Sequence, residues 1–279
     1  MDQIHIDGTD VHAVSPEGKT ASMPLPRLFE RIAPAQMDSC GAVLPDGVKA
    51  LIPGAPFAIW VHQTPPRVHA FKWIAQDSPS RFGPGTQYRT VRIALPYLIV
   101  LALFGPGEKG QLTISRSNEC FFRVAPLGSL DDELLYPALL NCSKFSPQEG
   151  RPLSWICTQH LKRGSFDREP DQNRRLCAGF RALMHCLLET GFNYSSEHHE
   201  ASSWFTESCR VDPRIGSVEH WEAASKEDPL FVLEVPWLKT GFSVEQVAER
   251  MFKNHRAAKA SPISASLLAR LVFNHAQSS

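Results

Sequence analysis

The run Tyr97-Leu98-Ile99-Val100-Leu101-Ala102-Leu103-Phe104 decides the fold, because it is apolar on both of its alternating faces. A strand that is buried on both faces has this continuous pattern, whereas a strand with one solvated face alternates apolar and polar residues. Gly105 and Pro106 follow directly and end the run. It is also too short to cross a bilayer as a helix. We therefore expect residues 97–104 to form a central strand of a sheet.

Strand patterns continue on both sides of this run. Upstream, Val91, Ile93 and Leu95 fall at every second position, which is typical of a half-buried strand. The other strand-like segments are residues 57–61, 69–75, 112–115 and 120–124. Together they predict a meander of four or five antiparallel strands between residues 45 and 125. Residues 1–25 are polar and broken by Gly and Pro, so we expect little regular structure there.

Residues 125–169 lose this periodicity but keep many large apolar side chains, such as Leu134, Leu135 and Tyr136. A solvated linker would not have this composition. We therefore expect a long loop that packs on the sheet, and long ordered loops are often functional.

Helical patterns begin after Asp171. The apolar residues at helical spacing are Leu176, Phe180, Leu183, Met184, Leu187 and Leu188, with Gly191 placed to end the helix. A second helix is predicted over residues 217–224. The pair Ser243 and Gln246 has the spacing of a capping box, and Ser261-Pro262 is a further helix start. A meander followed by a packed loop and helices is an α+β fold.

Composition excludes several classes of function. The chain has 279 residues, and its 29 Lys+Arg balance its 29 Asp+Glu, which argues against a nucleic-acid coat or a polybasic membrane binder. Its seven cysteines form no compact disulfide framework, and its N-terminus lacks a signal-peptide pattern. We therefore expect free thiols, a cytoplasmic location, and no partnership with nucleic acid or membrane. No cofactor motif is present in the sequence, so we expect no cofactor.

Cys157 is the first candidate site residue, because it lies at the end of the long loop, where a thiol can be exposed beside a binding surface. The alternative is a packing cysteine behind Trp155 and Ile156. Asn141 is the second candidate, because its amide could stabilise an oxyanion near a thiolate. The alternative for Asn141 is a residue that closes a turn.

Other interpretations of the same region stay open. A zinc site could use Cys157 and His160 with the more distant His185-Cys186, His198-His199 and Cys209, although no second close ligand pair is visible. A Cys–His hydrolase would need a histidine from elsewhere in the fold, such as His185 or His220. The basic residues after Cys157 are a solvated surface or a docking surface for an acidic partner; they are Lys162, Arg163, Arg168, Arg174 and Arg175.

The order of these features resembles the ubiquitin-conjugating enzyme fold. The segment from Ala125 through Tyr136-Pro137-Ala138-Leu139-Leu140-Asn141, then Gly150 and Trp155-Ile156-Cys157, is similar to the divergent prokaryotic ubiquitin-conjugating-like proteins, one branch of which includes protein B of the PRTRC systems. The downstream Trp204-Phe205 and Trp221 also resemble helical features of that family. Residues 46–254 would then form the conjugating-like domain, with a partly ordered extension over 1–45 and a C-terminal helix over 255–279.

The resemblance implies a carrier enzyme. Cys157 would accept a ubiquitin-like protein from an activating enzyme as a thioester and pass it to a protein target, with Asn141 supporting the oxyanion. Leu139 and Leu140 stand where the family has His and Pro, and Asn141 precedes Cys157 by 16 residues, about twice the usual spacing. An inactive scaffold that binds the modifier or the activating enzyme is the alternative, and a zinc-stabilised binding module is a third hypothesis.

Overall fold

The structure is a computed structural model that divides into two compact units. One unit spans Cys40–Asn254, and the other combines Met1–Ser39 with His255–Ser279. The residues described are 3–7, 9–24, 26–27, 44–54, 56–75, 77–79, 85–107, 111–138, 141–145, 147, 150–189, 210–259 and 272–273.

The smaller unit contains an antiparallel sheet of β1 (Gln3–Asp7), β2 (Asp10–Val14) and β3 (Thr20–Pro24). The expectation of little regular structure in residues 1–25 is therefore wrong. The reason lies in β2, where the short side chains of Val11 and Ala13 are fully buried and the polar His12 stands between them. A strand of this length with small inward residues gives only a weak hydrophobic signal.

The described residues of the larger unit contain a nine-stranded antiparallel sheet. Its strands are β4 (Val48–Gly54), β5 (Phe57–Thr64), β8 (Tyr97–Pro106), β9 (Leu112–Ile114), β10 (Glu119–Arg123), β11 (Glu133–Leu135), β12 (Cys142–Lys144), β13 (Ser154–Ile156) and β14 (Lys239–Ser243). The main path of hydrogen-bonded neighbours runs β12, β13, β10, β8, β5, β4, while β11 joins β10 to β14 and β9 pairs with β8. A separate hairpin of β6 (Arg67–Ile74) and β7 (Tyr88–Leu95) lies between β5 and β8 in sequence.

Helices α1 (Gln172–Leu188) and α2 (Val218–Glu227) follow β13, and α3 (Val244–Lys259) follows β14, which confirms an α+β fold with antiparallel sheets. The predicted continuous meander is wrong, because β5 pairs with β8 and the intervening β6 and β7 form their own hairpin. The predicted capping box is present, because Gln246 Oε1 accepts from Ser243 N at 2.9 Å and Ser243 Oγ accepts from Gln246 N at 3.3 Å. Ser217 caps α2 in the same way. Each cap satisfies backbone N–H groups that the first helical turn leaves unpaired.

Helices cover both faces of the central sheet, which explains the continuous apolar run in β8. Phe180 of α1 approaches Trp60 of β5, with ring centroids 6.1 Å apart. Phe252 of α3 lies so close to Gly54 of β4 that an added Cβ would be 2.5 Å from its ring. Gly54 pairs with Phe57, so the Phe252 ring lies on the face to which Phe57 points. Positions 57 and 60 point to opposite faces of β5, so the Phe180 ring beside Trp60 lies on the other face. The central strand prediction is therefore confirmed: Leu98 through Phe104 are fully buried.

Helix α2 covers the hairpin of β6 and β7. Trp221 is fully buried and its Nε1–H donates to the carbonyl of Ala94 at 2.9 Å. Ser225 Oγ accepts a hydrogen bond from the N–H of Ala94 at 2.8 Å. These two bonds satisfy the backbone of β7 where it has no further strand partner among the described residues.

Residues 125–169 pack on the sheet as expected, since Leu134, Tyr136, Leu153, Ile156 and Phe166 are all buried. The structure adds three short strands, β11 to β13, where the sequence predicts a loop. Each has three residues, which is too few for a period-two pattern to be recognised.

Several sequence predictions fall outside the described residues: the helix start at Ser261-Pro262, the helix end at Gly191, and the Trp204-Phe205 pair. Within the described part of the chain, none of the helices has the length and apolar character needed to span a membrane.

Candidate active site around Cys157

The short hairpin of β12 and β13 positions Cys157 beside Asn141. Cys142 pairs with Ile156 in the ladder, and the next rung joins the N–H of Cys157 to the carbonyl of Asn141 at 2.9 Å. Residues opposite each other in an antiparallel ladder carry their side chains close together. The two residues singled out from the sequence are therefore neighbours in space, and the Cys157 side chain is half-buried.

The side chain of Asn141 is tied to helix α1. Its Nδ2–H donates to the carbonyl of Cys186 at 2.9 Å, close to the C-terminal end of the helix. Such carbonyls lack intrahelical partners in the last turn. Asn141 thus fixes the distance between the Cys157 hairpin and α1, and its amide is held in a defined orientation. Leu139 and Leu140 lie outside the described residues.

Buried thiols lie near Cys157, which the sequence does not reveal. Burial raises the pKa of the Cys142 thiol, and the neighbouring thiols of Cys120 and Cys157 add to the rise. Burial likewise raises the pKa of the Cys186 thiol, with Cys157 again adding to the effect. Buried groups with raised pKa values are poor nucleophiles because the thiolate is the reactive form. Cys157 is therefore the member of this group best placed to react.

Glu119 supports the strand that leads to Cys157. Its carboxylate is fully buried, and its Oε2 accepts from the backbone N–H groups of Leu153 and Ser154 at 2.8 and 3.0 Å. Burial raises the pKa of this carboxyl to about 7, while the two N–H donors and the positive charge of Arg250 pull it the other way. One signal of this site is visible in the sequence: a charged residue stands beside the apolar run of residues 120–122.

Asn118 completes the support for β13. Its Oδ1 accepts from Leu103 N at 2.8 Å and its Nδ2–H donates to Ser115 O at 2.7 Å, both in the buried interior. Its backbone carbonyl accepts from Ile156 N at 2.9 Å. Asn118 and Glu119 together join β8, β10 and the residues just before Cys157 into one hydrogen-bonded framework.

Histidine and metal chemistry find little support in the described part of the chain. There, no histidine hydrogen-bonds to Cys157, and His185 is instead paired with Glu189 on the helix surface at 2.8 Å. The described residues also hold no group of three or more His, Cys, Asp or Glu side chains arranged to bind a metal ion. His198, His199 and Cys209, which the zinc hypothesis names, lie outside the described residues.

Comparison with known proteins identifies no relative. No protein-family model, no curated protein and no solved structure matches this chain. The interpretation of Cys157 therefore depends on the contacts of its own hairpin and on the resemblance carried by residues 125–157.

Proposed function

We propose that the larger unit is a ubiquitin-conjugating-like core and that the protein is a thioester carrier for a ubiquitin-like modifier, with Cys157 as the nucleophile. The observation that carries this proposal is the position of Cys157, which is half-buried at the end of the β12–β13 hairpin with its N–H donating to the carbonyl of Asn141. The order of elements supports it: an antiparallel sheet, a packed loop, the cysteine, then the long helix α1. A cytoplasmic location, where thiols stay reduced, belongs to the same proposal.

The chemistry is thioester exchange. The Cys157 thiolate attacks the carbonyl carbon of a modifier that is bound through its C-terminus to a cysteine of the activating enzyme. A new S–C bond forms to Cys157, and the S–C bond to the activating enzyme breaks, releasing its thiolate. One thioester replaces another, so the step is close to thermoneutral, and correct positioning of the two proteins supplies most of the acceleration.

The surroundings of Cys157 suit this reaction. A strand held by Asn118 and Glu119 keeps the backbone before Cys157 from shifting, and a shift of about 1 Å can cost a factor of about 10² in rate. Asn141 lies on the rung opposite Cys157, and we assign it the stabilisation of the oxyanion that forms during attack; losing one such donor costs a factor of about 10²–10³. In the last step an amine or hydroxyl of a target attacks the Cys157 thioester, and Cys157 leaves as the thiolate.

A charging assay tests the proposal. The protein is incubated with ATP, an activating enzyme and the ubiquitin-like protein of that enzyme, and the products are separated without reductant. Wild type forms an adduct that thiol removes, and Cys157→Ser forms none or a thiol-resistant ester. Cys177→Ser is the control, because Cys177 is also half-buried but lies on helix α1.

Two outcomes overturn the carrier role. If Cys177→Ser abolishes the adduct and Cys157→Ser does not, the nucleophile is wrongly assigned. If the activating enzyme charges itself but no adduct forms, the inactive scaffold becomes the better account.

A further inference from the structure

A groove of about 1150 Å³ opens beside the segment that follows Cys157. Its walls are the end of β8 at Pro106 and Gly107, the turn at Arg116, and residues 163–175. Four arginines line it, namely Arg116, Arg163, Arg168 and Arg175, against the two carboxylates of Asp167 and Glu169.

The two carboxylates are already engaged within the protein. Asp167 accepts a hydrogen bond from Thr113 Oγ1 and forms an ion pair with Arg163 Nε at 3.4 Å. Glu169 Oε1 accepts from the N–H of Asp171 at 3.2 Å. By contrast, the exposed Arg116 and Arg168 form no ion pair with any carboxylate among the described residues. The groove therefore presents excess positive charge.

Arg175 gives an independent sign that an anion belongs here. The residue is only 5% exposed, yet it lines the groove. Its Nε–H donates to Leu112 O at 2.9 Å, and its Nη1 donates to the carbonyls of Glu169 and Pro170. These acceptors are neutral, and Arg175 forms no ion pair with a carboxylate among the described residues. A buried cation without a counter-ion is costly, and an incoming carboxylate would relieve that cost.

The groove is connected to the Cys157 hairpin. Trp155, two residues before Cys157, donates its Nε1–H to the carbonyl of Arg116 at 2.9 Å. On the other side, the 3₁₀ turn Arg163–Ser165 begins six residues after Cys157. The stretch of chain that carries the thiol thus contacts one wall of the groove at Arg116 and continues into another wall at residues 163–175.

We propose that this groove binds an acidic polypeptide segment of a partner protein. Charge complementarity favours a polypeptide over a nucleic acid, because Asp167 and Glu169 would repel phosphates held in a fixed row, whereas the flexible side chains of a glutamate-rich peptide can place their carboxylates on the arginines. The volume of the groove exceeds what a single carboxylate group needs, which suits a segment with several acidic residues. The idea that the groove brings the partner next to Cys157 for the reaction rests on the proposed function, whereas the binding of an acidic segment to the groove does not.

Fluorescence anisotropy with fluorescein-labelled octaglutamate tests whether the groove binds an acidic polypeptide. The protein used is full-length Cys157→Ser, with no activating enzyme or modifier present, so a failed charging assay leaves this test intact. Binding should weaken as salt rises. Arg116→Glu and Arg168→Glu should each weaken it by about fivefold, and the double variant by more, because neither side chain holds the fold together. Lys72→Glu, on the exposed face of β6, is the matched control and should bind as the parent does.

Three results would overturn the inference. Octaglutamate could fail to bind, the control could lose as much affinity as the groove variants, or a labelled oligothymidine could bind more tightly than octaglutamate. The last result would assign the groove to single-stranded nucleic acid.

Discussion

Replacing Glu119 by Gln should make the protein more stable at neutral and alkaline pH. The fully buried carboxyl has its pKa raised from 4.5 to about 7, mainly by burial. The folded protein therefore holds a proton on Glu119 more tightly than the unfolded chain does. Between about pH 4.5 and pH 7 the unfolded state binds fewer protons, so the free energy of unfolding falls as the pH rises through this window.

The magnitude follows from the pKa. A rise from 4.5 to about 7 corresponds to about 3 kcal/mol, because a tenfold change in an equilibrium constant is about 1.4 kcal/mol. The geometry permits the neutral form, since both backbone N–H groups donate to Oε2 and leave Oε1 to carry the proton. The amide of Gln preserves this arrangement with its carbonyl oxygen as the acceptor and has no charge to desolvate.

The assay is urea unfolding of wild type and Glu119→Gln across pH. The variant should match wild type below about pH 4.5 and exceed it by up to about 3 kcal/mol near about pH 8. Glu249→Gln, at an exposed position on α3, is the control and should follow the wild-type curve. Parallel pH curves for wild type and Glu119→Gln would refute the reasoning, as would a variant that is less stable at every pH.

Three further predictions concern packing and reactivity. Gly54→Ala should destabilise the protein by about 1–3 kcal/mol, because its Cβ would be 2.5 Å from the Phe252 ring. Gly128→Ala is the control, because its added Cβ meets nothing closer than 3.9 Å. Equal stability of the two variants in chemical denaturation would contradict the prediction. Asn118→Ala should cost about 2–4 kcal/mol, since it removes two buried hydrogen bonds, and a loss below about 1 kcal/mol in thermal or urea unfolding would show that the framework tolerates the gap. Iodoacetamide followed by peptide mass mapping should modify Cys157 before the buried thiols, and a buried thiol that reacts first would argue against the site.

The central fold features could be predicted because their patterns are long. The apolar run of β8 and the stripe along α1 each extend over several periods, and the capping box at Ser243 and Gln246 is a local arrangement that needs no tertiary information. In each of these cases local preference and tertiary packing agree, which is the condition under which sequence patterns are reliable.

The features that could not be predicted from the sequence depend on contacts between residues that are far apart in the chain. Strands β12 and β13 have three residues each and exist because they extend the edge of a sheet built from other segments. The charge of Glu119 suggests solvent exposure, and only the N–H groups of residues 153 and 154 explain its burial. The proximity of Cys157 to Cys186 requires α1 to return over the sheet, which no local pattern encodes.

The central claim is that Cys157 carries a modifier as a thioester, and intact mass spectrometry tests it most directly. The protein is incubated with ATP, an activating enzyme and the ubiquitin-like protein of that enzyme, and is measured without reductant. The account predicts a species heavier by the mass of the modifier less one water, with the added mass on the Cys157 peptide and removed by hydroxylamine. An unchanged mass beside a charged activating enzyme, or an adduct on any other residue, would contradict it.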